Sequence, residues 1–257
     1  MNNSFSFSRL WLLIKKQWSD NARLYTLSAL ALIGLLTIIF IFWALVNGRY
    51  YDEQDTFVIF FVLLFGAGLI FASSTFSVLS DKARGTYWLG IPATHLEKLL
   101  CGIFYSIVVF LVVYLLSFFA IQQITFMFIR LNPGNVIRQV QDFKEPTQAL
   151  CYVFVALQSL FILGSVYFKR YAFVKTLLAG LFIIFLYMLA GTFFIKNLLP
   201  NNIGMHGLTS FSVNGENEMK VYRLSPWIEE ALSVLLKYLW APVFWIATYF
   251  RLKEKEL

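Results

Sequence analysis

YTLSALALIGLLTIIFIFWALV, residues 25–46, carries no charged side chain, and its 22 residues in helical form would measure about 33 Å, enough to cross the roughly 30 Å of hydrocarbon in a bilayer. Four further uncharged apolar stretches follow, at 56–78, 99–126, 149–168 and 176–195. A sixth, 231–250, is interrupted by Lys237 and Pro242. The third stays apolar as far as Ile129, so its helix must tilt or protrude at one end. Composition agrees, because 59% hydrophobic residues and a mean hydropathy of +0.70 over 257 residues exceed the roughly 45–50% apolar usage of soluble domains. The pattern predicts an all-α polytopic bundle of six transmembrane helices forming a single transmembrane domain over 1–257.

Charge sets the expected orientation. Of 21 Lys and Arg against 14 Asp and Glu, thirteen basic residues fall in the first set of alternate segments and seven in the second, with Lys237 inside the sixth stretch. The positive-inside rule then places both termini in the cytoplasm, in a multi-pass protein of the cytoplasmic, or inner, membrane. The N-terminus is not a signal peptide, since its charges follow the first apolar patch and no small-residue cleavage site is present. Residues 5–22 read as an interfacial amphipathic helix, with Phe7, Leu10, Trp11, Ile14 and Trp18 on one face and Ser8, Arg9, Lys15 and Lys16 on the other; Leu12 falls off the apolar face. A tilted extension of the first span is the alternative.

Several chemistries are disfavoured. Cys101 and Cys151 belong to opposite ends of their spans, too far apart for a disulfide, and His95 and His206 lack a second ligand at metal spacing. No GxxxxGK[ST] loop occurs and the largest loop, 196–230, has 35 residues, so no catalytic domain and no ATP hydrolysis are expected in this chain. Basic runs no longer than two argue against nucleic acid as a partner. The first five spans have no Asp, Glu or His for ion coupling, which leaves Lys237 as the one intramembrane polar candidate, with Glu230 seven residues before it as a stretched partner. Gly68 and Ala72, beside Gly66, permit close helix contact, either with a second subunit or within one.

The most informative segment is the turn at 79–98, LSDKARGTYWLGIPATHLEK. It reads as a short helix, a break and a helix start, with Thr94 and Glu97 in capping-box relation after Pro92. Asp81, Lys82 and Arg84 supply charge, Tyr87, Trp88 and Leu89 an apolar patch, and Gly85, Gly90 and Pro92 punctuation. Such a turn serves either as an interfacial anchor or as a docking knob for a soluble partner. Elsewhere, 210–221 alternates around Asn214-Gly215 and predicts a hairpin, and Val136, Ile137, Val140 and Phe143 predict a short amphipathic helix; each is expected to be a surface lid.

The turn resembles that of the type-2 permeases of ATP-binding cassette (ABC) exporters, in Gly85-Thr86, Leu89, Pro92 followed by small residues, and Lys98 leading into the third span. Tyr87-Trp88 stands where a glutamate often follows the Gly-Thr pair, and Thr94-His95 where Ser-Arg is common. The resemblance implies a permease subunit that pairs with a second one, as a homodimer or heterodimer, and docks a cytoplasmic ATPase through Asp81, Lys82, Arg84, Gly85, Thr86, Tyr87, Trp88, Leu89, Pro92 and Glu97. ATP and magnesium would belong to that partner, and no cofactor to this chain. It also implies an extracellular gate between the fifth and sixth spans. A non-transporting membrane scaffold or assembly subunit is the alternative.

Overall fold

The computed structural model describes residues 5–48, 50–131, 134, 136–138, 144–198, 203–205, 210–214, 219–223 and 225–255. They form α1 (Phe7–Val46), β1 (Tyr50–Asp52), α2 (Glu53–Ser74), α3 (Lys82–Leu89), α4 (His95–Ile103), a π-helical segment Phe104–Val109, α5 (Phe110–Arg130), β2 (Val136–Arg138), α6 (Lys144–Tyr167) and α7 (Ala172–Leu198). Then come β3 (Ile203–Met205), β4 (Ser210–Asn214), β5 (Met219–Arg223), α8 (Pro226–Val234), a second π-helical segment Leu235–Leu239 and α9 (Trp240–Glu254). Among the described residues five helices are long and apolar enough to cross a membrane: Phe7–Val46, Glu53–Ser74, His95–Arg130, Thr147–Tyr167 and Ala172–Ala190. They overlap the first five predicted stretches, stopping short of the predicted ends of the second, fourth and fifth. The sixth stretch is helical but runs as α8, the π segment and α9, and is not among the five.

Apolar side chains face outward along these helices, among them Leu30, Ile38, Phe42, Leu116, Phe182 and Met188. Apolar surface on this scale cannot face water, so the solvent is lipid and the chain is a multi-pass α-helical membrane protein.

Two compact units divide the chain, one of Met1–Phe173 with Ala241–Leu257, the other Val174–Trp240. In the first, α1, α2, α5 and α6 pack around an aromatic core containing Phe40, Trp43, Phe61, Tyr114, Phe118 and Phe154. Phe110, Tyr114 and Phe118 repeat every four residues along α5 and stack in series. The fully buried Tyr114 donates its hydroxyl to the Phe60 carbonyl at 2.6 Å, satisfying a polar group that lipid would leave unpaired. A second cluster joins Phe76, Leu79 and Leu99 to Phe161, Val166 and Leu252, so the last turn of α9 lies at the end of the unit where α2 finishes and α4 begins.

Helix ends follow local chemistry. The second predicted span reaches Val78, yet α2 stops at Ser74, where Ser73, Ser74 and Thr75 turn their hydroxyls back onto the Ile70 and Phe71 carbonyls and compete with the helical ladder. At the opposite end α1 closes through Gly48, whose φ of +62° favours glycine. Asp52 then caps α2 by accepting from the Gln54 N–H, and Asp55 accepts from Trp43 Nε1 at 3.1 Å.

Two expectations are corrected. The separate interfacial helix over 5–22 is instead the first part of α1, which runs unbroken for 40 residues. Residues 19–24 contain neither Gly nor Pro, and Lys16 pairs with Asp20 one turn on at 3.3 Å, so nothing there ends the helix. Its packed face is Leu10, Leu13 and Ile14, which meet Cys101 and Tyr105, while Phe7, Trp11, Leu12 and Trp18 face outward. The amphipathic helix expected at 136–143 begins as a strand: Val136–Arg138 pairs parallel with Tyr50–Asp52, an alternative that local periodicity cannot reveal. Val140 and Phe143 lie outside the described residues.

In the second unit the predicted hairpin is present as antiparallel β4 and β5, with Asn214 opposite Met219, and β3 extends it to three strands. Its tip, 215–218, and His206 lie outside the described residues.

Candidate functional site

Between α2 and α4 the chain folds back through a 3₁₀ turn, Ser77–Ser80, and the eight-residue α3. Asp81 starts α3 by accepting from the Ala83 N–H at 3.0 Å, and Gly90 ends it. The capping box expected at α4 is present: Thr94 Oγ1 accepts from the Glu97 N–H at 3.2 Å, and Glu97 Oε2 accepts from the Thr94 N–H at 2.8 Å.

This geometry sorts the ten turn residues into two groups. Asp81, Arg84, Thr86, Tyr87 and Pro92 are exposed, with the Arg84 side chain 79% accessible and only loosely paired to Asp81 at 3.7 Å. Backbone placement puts Lys82 in the first turn of α3; its side chain lies outside the described ones. Gly85 is buried against Val78 and Leu79, and Trp88 and Leu89 are half-buried in the cluster of Phe76 and Leu79. The expected aromatic patch is therefore split: Tyr87 points outward, whereas Trp88 packs edge-on against Phe76 with centroids 5.6 Å apart.

Glu97 is the clearest departure from expectation. It is fully buried and cannot meet a soluble partner. Its Oε1 accepts from the Ser6 backbone N–H at 2.8 Å and from Arg9 Nε and Nη2 at 3.2 and 3.0 Å, while Oε2 serves the capping box. One carboxylate thus caps two helices, its own and α1, whose N-cap is Ser6. A helix of 36 residues is about 54 Å long, so Glu97, in its first turn, lies outside the membrane-spanning part. Burial pushes its carboxyl upward, but the Ser6 and Thr94 amides and the Arg9 guanidinium outweigh this and hold it below the usual range.

Further contacts at this end tie α4 to α3 and both regions to α1. Lys98, almost fully buried, donates to the Leu89 carbonyl at the end of α3 and lies over the Trp88 ring at 5.6 Å. Lys16 donates to the Tyr87 hydroxyl at 3.1 Å and sits over its ring at 5.2 Å; Tyr87 and Asp20 raise its ammonium above the ordinary value. Tyr105 donates to the Ile14 carbonyl at 2.7 Å and stacks on Tyr25. The outcome is a bracket in which α3, the start of α4 and the first turns of α1 hold one another.

Sequence reading missed Ser6, Arg9 and Lys16 as members of this bracket. Their partners are 91, 88 and 71 residues away, and no local pattern carries such a pairing. One signal was present: a capping-box glutamate spends one oxygen on its own helix and leaves the other for a distant donor.

The remaining candidates lie elsewhere. Lys237 is exposed within the second π-helical segment and forms no ion pair with Glu230. Gly68 and Ala72 are buried inside the first unit, where a Cβ on Gly68 would come within 2.7 Å of Gln158 Nε2 and of Phe154 Cε2. That contact is the within-subunit alternative. No protein-family model matches the chain, and no curated protein or solved structure is similar to it.

Proposed function

We propose that this chain is the membrane-spanning permease subunit of an ATP-driven exporter of the type-2 ABC kind, and that α3 is where a separate cytoplasmic ATPase docks. The observation that carries the reading is the bracket itself: an exposed face of Asp81, Arg84, Thr86 and Tyr87 on a helix braced from behind by Trp88, Leu89, Lys98 and Lys16. A surface loop that only anchors in headgroups has no need of such bracing. A docking element does, because force on α3 must reach the spans without being absorbed locally.

On this reading the ATPase subunits hold ATP and magnesium, and this chain performs no hydrolysis. Closure of the ATPase dimer moves α3; Lys16 and Glu97 pass that motion to α1 and α4, and two permease subunits alternate between inward-open and outward-open states. The α3 end is cytoplasmic and the membrane is the inner one. Placing Ser6 beside Glu97, and Leu252 in one cluster with Leu79 and Leu99, supports an even number of crossings with both termini on that side.

Affinity purification of the tagged full chain from its native membrane tests the proposal. Co-purification of a soluble ATPase is expected, reduced at least about tenfold by joint reversal of Asp81→Lys and Arg84→Glu, as loss of a charged docking contact predicts. Association unchanged by the reversal removes the docking role from α3. An ATP-independent protein with no ATPase partner would instead be a scaffold subunit.

A further inference from the structure

A cleft of about 640 Å³ opens between α1, the end of α2, α3 and the start of the π segment. Its walls are zoned. Tyr25, Phe71, Gly102 and Tyr105 line the part level with the ends of the first three apolar stretches, whereas Gln17, Asp20, Asn21, Arg84 and Tyr87 line the part beyond them. The cleft therefore straddles the boundary between hydrocarbon and headgroups.

Hydrogen-bond accounting defines what fits. Tyr105, buried, donates to Ile14 O, and Ser74 and Thr75 donate to Phe71 O, so these hydroxyls have spent their hydrogens on backbone. Nearer the mouth, Gln17 donates to the Tyr25 hydroxyl and Asn21 to the Gln17 carbonyl. The lining carboxylate, Asp20, is neutralised by Lys16 at 3.3 Å. The donors at the mouth include the Arg84 guanidinium, which lies 3.7 Å from the Asp81 carboxylate and so beyond hydrogen-bond reach of it, and the Tyr87 hydroxyl proton. Donors at the mouth above an apolar interior describe an anionic head on an apolar tail.

We propose that this cleft holds a bilayer phospholipid, its phosphate bound by Arg84 and Tyr87 and its glycerol and upper acyl carbons lying against Tyr25, Phe71 and Tyr105. Guanidinium suits a phosphate diester because it presents parallel N–H groups to two oxygens. Among the described residues lining the cleft Arg84 is the one cation, and the apolar part of the walls decides for the lipid over a free phosphate. The site draws on Arg84 and Tyr87, which the exporter reading gives to the ATPase, and the two are told apart by their readouts, lipid adducts here and ATPase co-purification there.

The full chain in nanodiscs, doped with a phospholipid carrying a diazirine on the upper acyl carbons, tests this. After irradiation and peptide mapping, adducts are expected to concentrate in 17–25 and 71–88. Arg84→Ala should reduce those adducts at least about fivefold while leaving adducts on the outward face of α7 unchanged, and Arg84→Lys, which keeps the charge but loses the fork, should fall between wild type and Arg84→Ala. The side chain is exposed, so neither variant disturbs folding. Glycerophosphodiester without acyl chains should not compete. Adducts no denser in the cleft than on α7, no loss with Arg84→Ala, or full competition by the chain-free headgroup would each overturn the proposal, the last by showing a soluble-phosphate site.

Discussion

Glu97 shows how much one side chain can organise. Four donors, the Ser6 and Thr94 N–H groups and Arg9 Nε and Nη2, converge on the carboxylate of a residue with no exposed surface, whose own N–H donates to Thr94 Oγ1. Removing one partner of a buried charge pair typically costs about 3–5 kcal/mol, and the partly exposed Arg9 places this case at about 2–4 kcal/mol for Glu97→Ala. The measurement is thermal unfolding in detergent. Because the folded carboxyl is held below its ordinary value, its stabilisation is complete above the unfolded value near pH 4.5 and is lost as pH falls through the lower, folded one. Wild type should therefore lose stability on acidification below about pH 4.5 more steeply than Glu97→Gln, whose amide does not titrate. Equal slopes would mean that the carboxylate is not the shared cap.

At the scale of elements, three glycines serve different ends. Gly85 lies inside α3, and a Cβ there would sit 3.5 Å from Leu79 Cα, an ordinary contact. Gly85→Ala should fold normally and gain about 0.5–1 kcal/mol from helix propensity. Any loss of partner association in that variant would then report on docking and not on stability. Gly68 and Gly102 are the opposite case: a Cβ would come within 2.7 Å of Phe154 Cε2 at the first and 2.6 Å of Phe76 Cζ at the second. Alanine at either should cost about 1–3 kcal/mol by overpacking, read as a lowered melting midpoint with α-helical content retained. The contrast is the check, since a general intolerance of alanine would lower all three.

At the scale of the whole molecule, the number of crossings is open to a direct measurement. With Cys101 and Cys151 replaced by serine, single cysteines at Arg84 and Lys253 should label from the same face of sealed, oriented vesicles, and one at Tyr50 from the other. Labelling of positions 84 and 253 from opposite faces would give an odd count and overturn the assignment of both termini to the cytoplasm. The expected loss of the proposed ATPase partner on charge reversal at Asp81 and Arg84 belongs to this scale too, because it would be a property of an assembly that no single helix displays.

Sequence alone determined the helices, and it did so through length and polarity. An uncharged run of about 20 residues has one stable form in lipid, since only a helix satisfies its own backbone there. The cap at Thr94 and the 210–221 hairpin were legible for the same reason: each is a contact between near neighbours. Tertiary structure alone decided which way the turn's side chains face. Trp88 and Tyr87 are adjacent and chemically alike, yet one meets Phe76 and the other is exposed, because the path of α3 across the ends of α2 and α4 settles it. The same holds for Glu97, whose second oxygen meets Ser6 and Arg9 only when α1 runs on without a break into the space beside α4. Local pattern is written in spacing along the chain, whereas contacts across some 90 residues depend on how the helices are arranged once they have formed.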